Sequence, residues 1–170
     1  MTTILETARL SVRQFTADDA PFIVRLLNDP SFIANIGDRG VRTEEDATEY
    51  LERGPIASYA AHGHGLYLVA LKETGEPVGM CGLLRREQFK DADIGYAFLP
   101  EFRGRGYALE SAAAVLDYGR RTLGLARVLA IVSPGNAASV KVLRKLGFEY
   151  EQTIPFGADG ADVEVYASEG

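Results

Sequence analysis

The chain has 170 residues, of which 46% are hydrophobic and 25% are charged, and its formal net charge is −6. This length predicts a single domain over residues 1–170, and this composition excludes wholesale disorder. The negative net charge argues against a nucleic-acid partner, because binding to phosphates needs a basic surface.

The single cysteine, Cys81, excludes a disulfide framework within the chain and a zinc site built from several cysteines. No apolar run approaches the ~20 residues of a membrane span, and the polar N-terminus lacks the apolar core of a signal peptide. We therefore expect a soluble, cytoplasmic protein with no membrane partner and no metal.

Patterns of apolar residues and chain breakers predict a mixed order of helices and strands. Thr43 and Asp46 resemble a capping box, and Gly54-Pro55 interrupts the helix that follows it. The short links between the middle strands favour antiparallel neighbours, so the order predicts an α+β sheet flanked by helices. The predicted elements are strands over 10–15, 66–71, 77–84, 92–99, 127–132, 148–154 and 162–167, and helices over 16–27, 43–53, 107–123 and 137–146.

The strongest functional signal is a glycine-rich turn over residues 100–108, between a strand and a helix. The start of a helix presents unpaired N–H groups and the positive end of its dipole, and glycines let the backbone approach an anion. Arg103 and Arg105 add positive charge. These features predict a site for a pyrophosphate, and the plainer alternative is a tight turn with solvated arginines.

Two common phosphate motifs do not fit this turn. The nucleoside-triphosphate loop needs Gly-Lys followed by Ser or Thr, which is absent. The dinucleotide motif needs a third glycine or alanine where this chain has Leu109. The remaining pattern, Arg103-x-x-Gly106-x-Ala108, matches the Gln/Arg-x-x-Gly-x-Gly/Ala signature of the GNAT superfamily of N-acetyltransferases.

The resemblance extends over nearly the whole chain. It implies a GNAT-like, mixed and mostly antiparallel central sheet flanked by helices, with a splayed strand pair that holds acetyl-CoA. The segments similar to the branch that includes the ribosomal-protein serine and alanine N-acetyltransferases are Thr7–Arg13, Asp18–Ala20, Asp93–Tyr96 and Asn136–Phe148.

The resemblance also implies which residues bind acetyl-CoA. Main-chain groups of Phe98 and Leu99 would bind the pantetheine arm, Asn136 would bond this arm or its own loop, and Ser139 would lie near the sulfur. The residues implied to hold the pyrophosphate are Arg103, Gly104, Arg105, Gly106, Tyr107 and Ala108.

Two residues, Asp93 and Ser139, are implied to be catalytic. An amine with a pKa of about 10.4 is neutral in roughly one molecule in 10³ to 10⁴ near pH 7, so a base assists the attack. Asp93 stands where many relatives carry a glutamate base, although a solvated strand end is an equal alternative. Many relatives protonate the departing thiolate with a tyrosine where this chain has Leu143, which leaves Ser139 to hydrogen-bond the sulfur.

We therefore predict an acetyl-CoA-dependent N-acetyltransferase that transfers an acetyl group directly to a primary amine of a protein N-terminus or a small molecule. The alternatives are a non-catalytic acyl-CoA-binding or sensing domain, and a turn that serves another phosphate ligand. The sequence is also compatible with a homodimer. Asp38 and Arg39 are candidates for the acceptor site, His62 and His64 are expected to face solvent, and Cys81 is expected to be a buried apolar group.

Overall fold

The structure is a computed structural model that describes residues 2–156 and 160–169. Its strands are β1 (Thr3–Glu6), β2 (Leu10–Arg13), β3 (Leu66–Leu71), β4 (Pro77–Leu84), β5 (Asp93–Phe98), β6 (Arg127–Val132), β7 (Glu149–Pro155) and β8 (Asp162–Glu169). Its α-helices are α1 (Ala20–Leu27), α2 (Pro30–Asn35), α3 (Glu44–Leu51), α4 (Ala57–His62), α5 (Tyr107–Arg121) and α6 (Ala137–Lys145).

Within these described residues, the strands form one eight-stranded sheet in the order β1-β2-β3-β4-β5-β6-β8-β7. Neighbouring strands are antiparallel except β5 and β6, which are parallel. The links between β3, β4 and β5 are short, which antiparallel pairing allows, whereas the parallel pair β5 and β6 needs a crossover, which α5 makes. This architecture confirms the predicted α+β fold with a mostly antiparallel sheet flanked by helices.

The core lies between the sheet and the helices that cover it. In α5, Ala112, Val115 and Leu116 are buried against the sheet. Ala113, which the helical spacing placed on this face, is exposed instead. The buried stripe passes beside it, since it runs through Ala112, Val115, Leu116 and Gly119. Gly119 allows close packing, since a Cβ there would lie 2.8 Å from Leu83 Cδ1.

The structure corrects the prediction that Gly54-Pro55 interrupts the second helix. The chain stays helical through a π-helical turn over Glu52–Ile56 and continues into α4. A wider turn accommodates a proline, whose nitrogen carries no hydrogen to donate. Both halves of the predicted capping box are present, since Thr43 Oγ1 accepts from Asp46 N at 3.1 Å and Asp46 Oδ2 accepts from Thr43 N at 3.2 Å.

Besides α4, two further short elements, β1 and α2, were not predicted. Strand β1 extends the sheet as an edge strand beside β2. Helix α2 begins at Pro30, and Asp29 caps it by accepting a hydrogen bond from Phe32 N at 3.1 Å. The proline that ends α1 therefore also starts the next helix, because its fixed φ angle suits the first helical position.

Candidate active site

Strands β5 and β6 separate soon after they pair. Their register contains only two pairs, Asp93 with Leu129 and Ile94 with Ala130. In contrast, β5 stays paired with β4 as far as Phe98. The β5–β6 gap, as we call the opening beyond Ile94 and Ala130, confirms the predicted splayed strand pair.

The main-chain groups along one wall of this gap follow from the register. Leu129 N donates to Ala92 O at 2.9 Å, so the even-numbered residues of β5 direct their N–H and C=O groups toward β6. Tyr96 and Phe98 lie beyond the paired region, and their main-chain groups therefore face the gap. The carbonyl of Phe98 accepts from Arg103 Nε at 3.1 Å.

Leu99 does not fit the role that the resemblance implies for its main chain. Its N–H donates to Val78 O at 3.0 Å, and its carbonyl accepts from Phe102 N at 3.0 Å. Both groups therefore have partners within the protein: the N–H continues the pairing of β5 toward the β4 side, and the carbonyl closes the turn after β5. Of the two residues that the resemblance implies, Phe98 is therefore the one whose N–H faces the gap.

The glycine-rich turn lies between the end of β5 and the start of α5. Gly104 and Gly106 have φ angles of 75° and 83°, a region that favours glycine. Gly106 is the N-cap of α5, so no side chain caps this helix. The N–H groups of the first turn of α5 thus have no side-chain acceptor, as an anion-binding helix start requires.

The two arginines of the turn contact the protein itself. Arg103 Nη2 lies 2.5 Å from Oδ2 of the buried Asp29, the residue that caps α2. The guanidinium of Arg105 lies over the Phe102 ring, 5.6 Å from its centroid. Arg103 therefore links the turn to α2, and the turn presents main-chain N–H groups as its principal donors.

A hydrogen-bond network that sequence reasoning missed joins the segment before β2 to the turn and to α5. The Glu110 carboxylate in α5 accepts from Thr7 Oγ1 at 2.5 Å, from Arg9 N at 3.0 Å and from Arg9 Nε at 2.7 Å. Arg9 Nη1 also donates to Arg105 O at 2.9 Å, and its guanidinium lies 4.5 Å from the Tyr107 ring centroid. Desolvation alone would raise the pKa of Glu110, but the hydrogen bonds from Thr7 and Arg9 lower it overall.

Ser139 is held beside a tyrosine that the sequence did not single out. Asn136 caps α6 by accepting from Ser139 N at 3.3 Å, and Ser139 Oγ lies 2.9 Å from the Tyr96 hydroxyl. Burial raises the pKa of Tyr96, and the hydrogen bond with Ser139 opposes this effect. Leu143, at the position where the resemblance implies a tyrosine in many relatives, is fully buried in the core.

Asp93 is not a solvated strand end. Its side chain is buried, and Oδ1 lies 3.0 Å from Arg86 Nε. Burial raises the pKa of Asp93, while the charge of Arg86 and its hydrogen bond lower it, and the net direction is upward. A raised pKa makes this carboxylate a better base than an exposed aspartate.

Asp93 and Tyr96 lie on opposite faces of the sheet. Tyr96 pairs with Cys81, which hydrogen-bonds Ser111 of α5, so Tyr96 is on the α5–α6 face. Gly95 faces the other way, since a Cβ there would lie 3.3 Å from Leu84 Cδ1. Asp93 shares the face of Gly95 because side chains alternate along a strand.

Two clefts border these faces. One has a volume of about 590 Å³ and runs along α6, and its lining is Gly135, Asn136, Ala137, Val140, Lys141, Arg144 and Lys145. The other, which we call the α3–α4 cleft, has a volume of about 360 Å³ on the Asp93 face. Its lining is Tyr50, Arg53, Gly54, Pro55, Ala57, Ser58, Ala61, His62, Leu66, Leu84 and Arg85.

The remaining predicted residues are placed as follows. Cys81 is buried, as predicted, and burial raises its pKa to about 12 although Ser111 opposes this. His64 is buried rather than solvent-facing, because its Nδ1 lies 2.7 Å from Leu83 O, whereas His62 is exposed. Asp38 pairs with Arg42 in the loop between α2 and α3.

The described part of the chain contains no cluster of three or more His, Cys, Asp or Glu side chains suited to a metal ion. None of its helices combines the length and apolar character needed to cross a membrane.

Comparison with known proteins places this geometry in a family. The profile of the acetyltransferase (GNAT) domain matches residues 9–149. The Bacillus subtilis protein YoaA, described as an uncharacterized N-acetyltransferase, is 31% identical over 153 residues, which cover 89% of this chain and 85% of YoaA.

Two solved structures share the fold. An acetyltransferase from Agrobacterium tumefaciens is 28% identical, with a TM-score of 0.81 and coverage of 100% of this chain and 95% of its own. RimL, a ribosomal L7/L12 alpha-N-protein acetyltransferase in complex with coenzyme A, has a TM-score of 0.85 at 21% identity, with coverage of 98% and 97%. The profile match covers most of the chain, and the chain therefore belongs to the GNAT family of acetyltransferases.

Proposed function

We propose that this enzyme transfers an acetyl group directly from acetyl-CoA to a primary amine of a small molecule or a protein N-terminus. The observation that carries the proposal is the β5–β6 gap, which lies beside the uncapped start of α5. Coenzyme A is a slender thiol arm joined to a diphosphate. A narrow gap with an anion-binding turn at its mouth suits this shape and charge.

The residues around the gap fit this donor. The N–H groups of residues 104–108 suit the diphosphate, and the N–H of Phe98 suits an oxygen in the gap. The cleft along α6 carries Lys141, Arg144 and Lys145, whose charges suit the phosphorylated end of the nucleotide. Asn136 uses its side chain to cap α6 and so supports the donor site by placing Ser139.

The reaction forms a C–N bond and breaks a C–S bond, with acetyl-CoA as the source of the acyl group. Asp93 accepts the proton that the ammonium group must lose before it attacks, directly or through water, and the nitrogen loses its second proton to water once the C–N bond has formed. The Tyr96 hydroxyl donates a proton to the departing sulfur and regains one from water, and Ser139 holds this hydroxyl in place. The two proton transfers then occur on opposite faces of β5, so the amine enters from the face that carries Asp93.

The test measures release of the CoA thiol from acetyl-CoA with and without a panel of amines, amino acids, polyamines and N-terminal peptides. We expect release that depends on one class of amine, together with an acetylated product detected by mass spectrometry. Tight binding of acetyl-CoA without any amine-dependent release would contradict the proposal and favour a sensing domain.

Two glycine variants separate the diphosphate site from general strain. Gly106→Asp places a negative charge at the start of α5, whereas Gly124→Asp introduces the same residue at a similar φ of 70°, near the other end of α5. We expect the KM for acetyl-CoA to rise about tenfold or more in Gly106→Asp alone, because like charges repel. An equal effect in both variants would remove the turn from the donor site. A homodimer and a cytoplasmic location stay predictions.

A further inference from the structure

We infer that the α3–α4 cleft binds the acceptor and that this acceptor is a small amine that carries a carboxylate group. This inference rests on the proposed function, because it concerns the second substrate of the same reaction. It selects among the amines that the fold alone leaves open, and it disfavours polyamines.

The cleft borders the strand pair that carries Asp93. Leu84 lines the cleft and is the partner of Asp93 in the β4–β5 register. Leu66 and Leu84 are also the side chains nearest to the missing Cβ of Gly95, at 3.7 and 3.3 Å. An amine in the cleft would therefore approach β5 at the point where it parts from β6, beside the proposed base.

The charge of the cleft is opposite to that of the chain as a whole. The net charge of the protein is −6, yet the basic side chains among the described residues that line the cleft are Arg53, His62 and Arg85, and none of these described lining residues is acidic. Arg53 is paired with Glu49 at 3.1 Å. Arg85 contacts the Lys90 carbonyl and, among the residues that the structure describes, no carboxylate.

Two arginines, Arg39 and Arg86, add positive charge near Tyr50, which lines the cleft. Burial raises the pKa of the Tyr50 hydroxyl, and the charges of Arg39 and Arg86 act against this effect. Arg86 is balanced by Asp93, so Arg39 and Arg85 carry the excess charge around the opening. A ligand with an anionic group gains from this excess, whereas a polyamine is repelled.

The size and polarity of the cleft limit the rest of the acceptor. Its volume of about 360 Å³ is near the lower end of small-molecule sites. Pro55, Leu66 and Leu84 supply apolar walls. A free amino acid with an apolar side chain satisfies all three properties, since it combines an amine, a carboxylate and an apolar body in a small volume.

The experiment compares amino acids with their amides as acceptors, with leucine and leucinamide as the first pair and spermidine as a cationic reference. The amine of leucinamide is less basic than that of leucine, so a larger fraction of it is unprotonated near neutral pH. The fraction of reactive amine alone would therefore favour leucinamide. We expect kcat/KM to be at least tenfold higher for leucine. The inference would be overturned by equal values of kcat/KM, by a preference for leucinamide or spermidine, or by activity with peptides only. The proposed acetyltransferase activity would stand in each of these cases.

Variants of one cleft arginine give a second measurement. Arg85→Gln should raise the KM for leucine about tenfold, because a hydrogen bond to a charged group is lost, and should leave the KM for leucinamide unchanged. Arg85→Glu should reverse the preference. Arg121→Gln, on the exposed side of α5, is the matched control and should change neither constant. Equal effects of Arg85→Gln on both acceptors would overturn the inference, and absence of release with every amine would instead contradict the proposed function.

Discussion

The hydroxyl of Tyr96 lies 2.9 Å from Oγ of Ser139 and so joins β5 to the start of α6 beside the β5–β6 gap. Burial raises the pKa of Tyr96, which keeps the hydroxyl protonated through neutral pH and able to donate a proton. In the proposed reaction this hydroxyl is the proton donor, since the side chain of Leu143 has no proton to donate.

Tyr96→Phe should lower kcat by about 100-fold, since general acid catalysis contributes 10²- to 10⁴-fold, and should change the KM for acetyl-CoA little. Steady-state kinetics with the best amine measures both constants. Tyr118→Phe is the control, because its hydroxyl interacts with Tyr67 rather than Ser139. If both variants keep wild-type kcat, Tyr96 is not the donor.

Asp93→Asn should lower kcat/KM by about 100-fold by removing the base. The base acts in its deprotonated form, so wild-type activity should rise with pH as Asp93 loses its proton, and burial places this rise above the usual pKa of an aspartate. The pH profile of kcat/KM is the measurement. An unchanged profile in Asp93→Asn would assign the rise to another group and leave Asp93 as a structural partner of Arg86.

Glu110→Gln should destabilise the protein at neutral pH by about 1–2 kcal/mol, because it weakens the hydrogen bonds from Thr7 and Arg9. The pKa of Glu110 is lower in the folded state than its ordinary value, so its stabilisation is present above that value and is lost as pH falls through the folded-state pKa. Thermal unfolding at pH 7 and in acid should therefore show a Tm difference that disappears in acid. A difference that persists in acid would point to packing instead.

Cys81 should resist alkylation in the native protein at pH 8, because burial raises its pKa to about 12. Iodoacetamide should react only after unfolding in urea, as followed by mass spectrometry. Cys81→Ala should retain activity, which agrees with direct transfer rather than an acyl-cysteine intermediate. Rapid native labelling together with loss of activity would contradict this prediction.

Much of the fold was predictable because its signals are local. Strands β3, β4 and β6 begin and end at the predicted residues, since apolar runs bounded by turn residues mark them clearly. The π-helical turn at Gly54-Pro55 was not predictable, because the packing around it decides whether a proline ends a helix. The burial of His64, which lies in the loop before β3, likewise depends on the Leu83 carbonyl in β4.

The sequence by itself determined the family, the glycine-rich turn before α5 and the position of Asp93, because each depends on residues close together in the chain. Only the tertiary structure decided that Glu110 supports the turn through Arg9, that Tyr96 meets Ser139, and that Arg53 and Arg85 line the α3–α4 cleft. These relationships join residues that are far apart in the chain. They arise because the β5–β6 separation and the packing of helices on both faces of the sheet bring distant side chains within hydrogen-bonding or Coulombic range, and no local pattern records such distances.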